Sequence, residues 1–213
     1  MTGHYLDNAA TTPVRVEAAQ AAMKAMTEEW GNPSARHALG SRAAEQVKQW
    51  RGEVAAGLGC MPEEVVFTSC GTESDNWAIR AAAELGKRKG KHIITTAIEH
   101  AAVLEPCRAL EREGYEVTYL QPDRSGNITA RQVKEALRPD TILVSMMLVN
   151  NELGTILPVA ETARVLKEAG SGALLHCDGV QGFLKVPLTP RQLGVDLLSI
   201  SGHKIHAPKG IGA

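Results

Sequence analysis

Short apolar segments alternate with longer amphipathic segments through most of this sequence, from about residue 65 to residue 204. The short segments are rich in Val, Ile, Leu and Thr, which is typical of buried strands, whereas the longer segments have the apolar spacing of helices. Strands that alternate with helices need crossover connections, and these give a mostly parallel sheet with helices on both faces. We therefore predict an α/β fold.

The element pattern starts with two helices and then alternates. We predict helices over residues 15–26, 41–58, 73–89, 101–112, 130–137 and 159–169. We predict strands over residues 65–68, 92–96, 116–120, 141–149 and 173–177, and a last strand in the run from 195 that ends before Lys204. No Ser/Gly- or Pro-rich linker and no fixed-period repeat divides the chain. We expect a single domain over residues 1–213, helical to about residue 60 and built on the sheet from 61 to 213.

Charge and composition exclude several classes of function. The chain has 23 Lys and Arg against 24 Asp and Glu, which leaves no excess positive charge for nucleic acid. The most apolar segment, 142–149, is too short to span a bilayer, and the N-terminus lacks the charged start and apolar run of a secretory signal. The four cysteines have neither zinc-site spacing nor disulfide density. We expect a cytoplasmic protein with no metal site and no membrane partner.

A lysine follows the last predicted strand. Gly202 breaks the apolar run, and Lys204 stands in the polar turn after it. A lysine held beside a low-dielectric core can have a lowered amine pKa, which allows it to form a Schiff base. Taken alone, Lys204 is more typical of a solvated lysine in a surface loop, because such lysines far outnumber catalytic ones.

A small-residue turn follows the predicted strand at 65–68 and opens a helix. Gly71 would let the backbone approach a ligand, and Thr72 could cap the helix together with Asp75. The free amides at such a helix start favour an anion such as phosphate. A Gly-Thr pair is also an ordinary helix start.

Three further strands end in polar residues. His100 could stack on a flat ring or carry a proton, or simply cap a helix. Asn151 could bind a ligand or close a turn. Asp178, with Gln181 after it, ends a fully apolar strand, where a carboxylate needs a positive partner such as a protonated ring nitrogen, unless it only caps the next helix.

These signals all fall at the carboxyl ends of strands in one predicted sheet, where such sheets bind ligands. An anion cradle, a stacking imidazole, a buried carboxylate and a lysine together are what pyridoxal 5'-phosphate requires. We therefore predict a pyridoxal 5'-phosphate site.

The sequence also resembles a known family at these residues. The matching motifs are Tyr5-Leu6-Asp7-Asn8-Ala9-Ala10-Thr11-Thr12-Pro13, Gly31-Asn32-Pro33-Ser34, Phe67-Thr68-Ser69-Cys70-Gly71-Thr72-Glu73-Ser74-Asp75-Asn76, Glu99-His100, Val149-Asn150-Asn151-Glu152 and Ser201-Gly202-His203-Lys204. In them the chain is similar to NifS/IscS-like cysteine desulfurases of the class V aminotransferase superfamily. The resemblance implies the fold type I architecture of pyridoxal-phosphate transferases and a homodimer.

The resemblance also implies roles for individual residues. Lys204 would hold the cofactor covalently and move protons, Asp178 would pair with the pyridine nitrogen, and His100 would stack on the ring. The phosphate and the phenolic oxygen would be bound by a wider set of residues: Gly71, Thr72, Ser201 and His203 for the phosphate, and Asn151 and Gln181 for the oxygen. The implied reaction converts L-cysteine into L-alanine and an enzyme persulfide, whose sulfur passes to an Fe-S scaffold or sulfur-carrier protein.

The resemblance covers the N-terminal half of the family chain. The family's sulfur-accepting cysteine and its substrate-binding arginine have no counterpart here, so we expect the C-terminal small domain to be absent. Two alternatives follow: a cofactor-binding half protein that is inactive without a complementary chain, and a related selenocysteine lyase or class V aminotransferase.

Overall fold

The computed structural model describes residues 3–187 and 189–213. Its helices are α1 (Val16–Thr27), α2 (Ala38–Leu58), α3 (Gly71–Gly86), α4 (Ala101–Arg112), α5 (Ala130–Ala136), α6 (Val159–Glu168) and α7 (Pro190–Leu193). Its strands are β1 (His92–Thr96), β2 (Glu116–Leu120), β3 (Thr141–Ser145), β4 (Leu174–Asp178) and β5 (Leu197–Ser199). Short 3₁₀ turns lie at Pro62–Glu64 and Gly202–Lys204.

The strands form one five-stranded sheet in the order β2-β1-β3-β4-β5, and every pairing is parallel. Each strand is joined to the next in the chain by at least one helix, so the predicted α/β fold is confirmed. The chain leaves β1 toward β2 on one side and returns to β3 on the other side of β1. Sheets of this kind bind ligands at the carboxyl ends of the strands, at such a reversal of order.

Both faces of the sheet are covered by helices. On one face Ile93 and Leu143 pack with α3 and α4, and on the other Ile94 and Val144 pack with α5 and α6. Successive strand residues point to opposite faces, so burial on both sides explains why β1 and β3 are buried at all five positions.

The structure corrects three predicted strands. Residues 65–68 form no strand of the sheet, and Thr68 makes only an isolated antiparallel bridge to Gly212. The strand predicted over 141–149 ends at Ser145, because the chain then turns and Val149 bridges to Ile156. The last strand is only Leu197–Ser199, and Lys204 lies in the 3₁₀ turn beyond it. A β-rich segment becomes a strand only where a neighbouring strand pairs with it, and local sequence does not specify that neighbour.

The helices differ from the prediction mainly at their ends. The predicted helix 73–89 runs from Gly71 to Gly86, and the predicted helix 41–58 starts at Ala38. In the described part of the chain, no helix combines the length and the apolar character needed to cross a membrane.

Candidate active site

A cavity of about 440 Å³ lies at the carboxyl ends of the strands. All nine residues predicted to form the site line it: Gly71, Thr72, His100, Asn151, Asp178, Gln181, Ser201, His203 and Lys204. The structure thus brings together side chains from five separate segments of the sequence. Their individual roles toward a cofactor remain predictions.

Lys204 reaches the cavity from the 3₁₀ turn after β5. Burial lowers the pKa of its amine, and the positive charge of Lys185 lowers it further, while Asp7 and Asp178 oppose this. The ammonium Nζ donates hydrogen bonds to the carbonyl oxygens of Ala9 and Ala10, the latter at 2.8 Å. The turn therefore presents an amine that loses its proton more easily than an ordinary lysine.

The N-terminal segment forms one wall of this cavity. Asp7, Ala9 and Ala10 line it, and the segment is fastened to the Lys204 loop through Thr12. The Thr12 hydroxyl donates to the His203 carbonyl oxygen at 2.9 Å and accepts from the His206 amide at 2.8 Å. No role in the site was predicted for this wall, because its residues follow no strand of the sheet. The only sequence feature that could have indicated a role is the family motif from Tyr5 to Pro13.

Asp178 is the last residue of β4 and is 5% exposed. Its Oδ1 accepts a hydrogen bond from the Val180 amide at 2.9 Å. Burial raises the pKa of this carboxyl, while the Val180 amide and the positive charges of His100 and Lys204 act in the opposite direction. Asp178 does not cap a helix, because no helix begins directly after β4. Its carboxylate instead closes the turn to Val180.

The N-terminus of α3 approaches the cavity at Gly71. A Cβ atom on Gly71 would lie 2.7 Å from Val180 Cγ2 and 3.2 Å from Ser201 Cβ, so a larger residue does not fit without displacing them. The expected cap by Thr72 is wrong: Thr72 is already helical, and the residue at the N-cap is Cys70. The first-turn amides of a helix have no intrahelical acceptor, which leaves those of α3 available to an anion.

His100 both caps a helix and lines the cavity. Its Nδ1 accepts from the Ala102 amide at 3.1 Å at the start of α4, which fixes the ring orientation. The two uses that the sequence left open are therefore compatible.

The side-chain amides near the cavity either close a turn or line the cavity. Asn150 closes its own turn, because its Oδ1 accepts from the Leu153 amide at 2.8 Å, and its Nδ2 donates to the Ile98 carbonyl at 2.8 Å. Asn151 lines the cavity. Gln181 also lines it, and its Nε2 donates to the Ala9 carbonyl oxygen at 2.8 Å while its Oε1 accepts from Lys185 at 3.1 Å.

A buried polar group behind Asp178 was not predicted. His176, two residues earlier on β4, is fully buried and contacts Ser145, Ser199 and Asp75. In the sequence His176 stands in an otherwise apolar strand and gives no functional signal beyond being polar at a core position. Among the described residues, no cluster of three or more His, Cys, Asp or Glu could hold a metal ion.

Comparison with known proteins places the chain in a family. The family described as Aminotransferase class-V matches residues 4–213. The chain belongs to the class-V aminotransferase family. It is 48% identical over 210 residues to a cysteine desulfurase IscS of Anaeromyxobacter dehalogenans, and 50% identical over 212 residues to one of Escherichia coli O139:H28. These alignments cover 98% of the chain and 52% of each relative, so the chain spans about half the length of the curated relatives it matches.

Solved structures of this family share the fold. One, named NifS-like protein, superposes with a TM-score of 0.94 at 40% identity, covering 98% of this chain and 57% of the other. Another, described as SspA in complex with cysteine, superposes with a TM-score of 0.93 at 41% identity, covering 99% and 60%. The resemblance to NifS/IscS-like cysteine desulfurases is confirmed, and the fold is that of fold type I pyridoxal-phosphate enzymes.

Proposed function

We propose that this chain is the pyridoxal 5'-phosphate-binding part of a cysteine desulfurase, which converts L-cysteine into L-alanine and an enzyme persulfide. The observation that carries the proposal is that Lys204 and Asp178 line one cavity at the strand ends. The names of the relatives support the reaction, and one solved neighbour is described as a complex with cysteine.

The residues of the cavity fit the cofactor. Its volume of about 440 Å³ lies within the range of about 300–1,000 Å³ usual for small-molecule sites. Gly71 leaves no room for a Cβ, which is expected where backbone amides must approach a phosphate closely. Asp178 offers a buried carboxyl for a ring N–H, and Lys204 offers an amine with a lowered pKa for the aldehyde.

When bound, pyridoxal phosphate supplies an electron sink for bond cleavage at the substrate amino acid. This chain's own residues would hold and orient it. Asp178 would keep a proton on the facing ring nitrogen, because a carboxylate beside that atom stabilises its charged form. Lys204 would bind covalently through Nζ and, once released, hold or move a proton at that atom. His100 would cover the ring face, with its Nδ1 occupied by the Ala102 amide.

The sulfur-accepting thiol is not evident among the four cysteines. Cys107 and Cys177 are fully buried, and burial raises the pKa of both thiols, which disfavours the nucleophilic thiolate. Burial also raises the pKa of Cys60. Cys70 alone among the four lines the cavity, and its place is in the turn that opens α3.

A second candidate is supported by the coverage of the relatives. A chain that matches about 52% of its relatives' length could be a cofactor-binding half that turns over substrate only with a complementary chain. In both cases we propose residues 1–213 as the large, cofactor-binding domain, helical to about residue 60 and built on the sheet beyond it. The family description, Aminotransferase class-V, also keeps a class V aminotransferase as an alternative, and we propose a related selenocysteine lyase as a further one.

We further propose a partner, an assembly and a cellular location for this protein. An Fe-S scaffold or sulfur-carrier protein would receive the sulfur, the enzyme would be a homodimer, and it would work in the cytoplasm. Co-purification of a scaffold protein with this protein tests the first point, and the mass of this protein in solution by light scattering tests the second.

The cofactor site can be tested directly. Purified chain mixed with pyridoxal phosphate should show a visible absorbance band that borohydride removes. Peptide mass spectrometry should then find the reduced cofactor, which serves as a covalent label, on Lys204. Lys204→Ala should lose the label, whereas the control Lys209→Ala, in the exposed loop beyond it, should keep it. Labelled Lys204→Ala protein would contradict the assignment.

The reaction is tested separately by adding L-cysteine and measuring alanine and sulfide. Product from the chain alone supports a cysteine desulfurase. Cofactor binding without product supports the half protein, and product from selenocysteine or keto acids alone supports the related activities.

A further inference from the structure

A row of buried polar side chains crosses the sheet directly behind Asp178. His176 on β4 is 0% exposed, and its Nδ1 lies 2.9 Å from Ser145 Oγ on β3. Its Nε2 lies 3.0 Å from Ser199 Oγ on β5. Because strand side chains alternate between faces, His176 and Asp178 share the face that α3 covers. The Ser145 and Ser199 hydroxyls thus occupy both ring nitrogens of His176.

Asp75 covers this row from α3. Its side chain lines the cavity, yet the residue is only 1% exposed. Its Oδ1 lies 3.5 Å from His176 Nε2, and among the described residues that oxygen has no hydrogen-bond partner. A buried carboxylate without compensating hydrogen bonds is costly, which favours the protonated, uncharged form.

The charges around Asp75 point the same way. Burial raises the pKa of Asp75 to about 9, and the negative charges of Asp178, Glu99 and Cys70 raise it in the same direction, although the nearby Ser199 hydroxyl acts in the opposite direction. Burial lowers the pKa of His176 to about 4. No ammonium or guanidinium contributes to either shift. At neutral pH the two groups therefore form a neutral pair, not an ion pair.

We propose that Asp75 is a positioning residue of the cofactor site: a protonated carboxyl that, packed against His176, leaves Asp178 as the single carboxylate in the floor of the cavity. This inference rests on the proposed function, because Asp178 is the group that would face the cofactor ring. A second negative charge at Asp75 would compete with Asp178 for the same proton, since two adjacent buried carboxyls do not both ionise. The neutral Asp75 keeps that proton away from Asp178.

The first test compares identical substitutions at the two carboxyls. Asp75→Ala removes the carboxyl that packs against His176 and should weaken pyridoxal phosphate binding, whereas Asp75→Asn keeps the shape and the absence of charge and should restore the dissociation constant to within about threefold of the parent value. Asp178→Asn removes the working carboxylate and should weaken binding tenfold or more, which corresponds to about 1.4 kcal/mol. A tenfold loss in Asp75→Asn would overturn the inference, because Asp75 would then act as an anion.

A second test needs no cofactor and therefore fails independently of the proposed function. An acid whose pKa is raised in the folded state binds its proton more tightly there than in the unfolded chain. The stability that this proton contributes is complete below the unfolded pKa of about 3.9 and is lost as pH rises toward 9. Between pH 6 and 8, the unfolding constant of the parent relative to Asp75→Asn should therefore rise by up to about tenfold per pH unit. A ratio that stays constant would show an ionised Asp75 and would overturn the inference.

The protonation of His176 supplies the third measurement. ¹⁵N NMR of histidine-labelled chain at pH 7 should show a neutral imidazole at His176, assigned by comparison with His176→Gln. An imidazolium there would indicate an ion pair with Asp75 and would contradict the neutral pair.

Discussion

Replacement of Gly71 by alanine tests whether the start of α3 must approach the cavity as closely as the structure shows. The added Cβ would lie 2.7 Å from Val180 Cγ2 and 3.2 Å from Ser201 Cβ. Carbon atoms in contact normally lie about 3.5–4.0 Å apart, so Val180 must move by roughly 1 Å. Overpacking of this kind typically costs about 1–3 kcal/mol.

The displacement should also reach the carboxylate. The Val180 amide donates to Asp178 Oδ1 at 2.9 Å, so movement of Val180 carries Asp178 with it. Ser201 lines the same cavity. We therefore expect Gly71→Ala to weaken pyridoxal phosphate binding by tenfold or more in an absorbance titration, in addition to lowering the free energy of unfolding.

Gly52→Ala is the matched control. Gly52 lies inside α2, and an added Cβ there meets nothing within 4 Å. Alanine in a helix interior is more favourable than glycine by about 0.5–1 kcal/mol, so this variant should be slightly more stable and bind normally. Denaturant unfolding measures both variants. A Gly71→Ala protein as stable as the parent and with the same affinity would refute the steric argument.

Three further predictions concern the wall, the lysine and the thiols. Thr12→Ala removes two hydrogen bonds that fasten the N-terminal wall to the Lys204 loop and should lower the free energy of unfolding by about 1–2 kcal/mol; a loss below about 0.5 kcal/mol would mean that the wall is held by other contacts. Lys185→Met should raise the pKa of Lys204, because it removes a neighbouring positive charge, and the pH dependence of cofactor attachment should shift upward; a downward shift would contradict this. In the native chain a thiol reagent should modify Cys70 well before the fully buried Cys107, as mass spectrometry of brief labelling would show, whereas equal rates would contradict the burial.

Several elements could be read from local sequence alone. The strands at His92–Thr96 and Glu116–Leu120 and the helix at Ala101–Arg112 have the predicted bounds. Each is an apolar run or a periodic segment between polar or small residues, so its type and limits can be recognised from its neighbours in the chain. The gathering of the predicted site residues at one cavity follows as well, because the carboxyl ends of parallel strands share one edge.

Other features depended on partners far away in the chain. Residues 65–68 have the composition of a strand, but pairing is limited to the bridge from Thr68 to Gly212. The segment 141–149 is apolar throughout, yet the ladder of β3 ends at Ser145. Pairing is a property of two segments, and the composition of one of them does not determine it.

The amino-acid sequence by itself determined the alternation of strands and helices, the small-residue turn at Gly71 and the presence of an amine and a carboxylate after two strands. Tertiary structure decided that the N-terminal segment forms a wall of the cavity beside Lys204 and that Asp75 lies 3.5 Å from His176, about a hundred residues away in the chain. The physical reason is that periodicity and turn chemistry act over a few residues, whereas such distances are set by how the helices pack on the sheet.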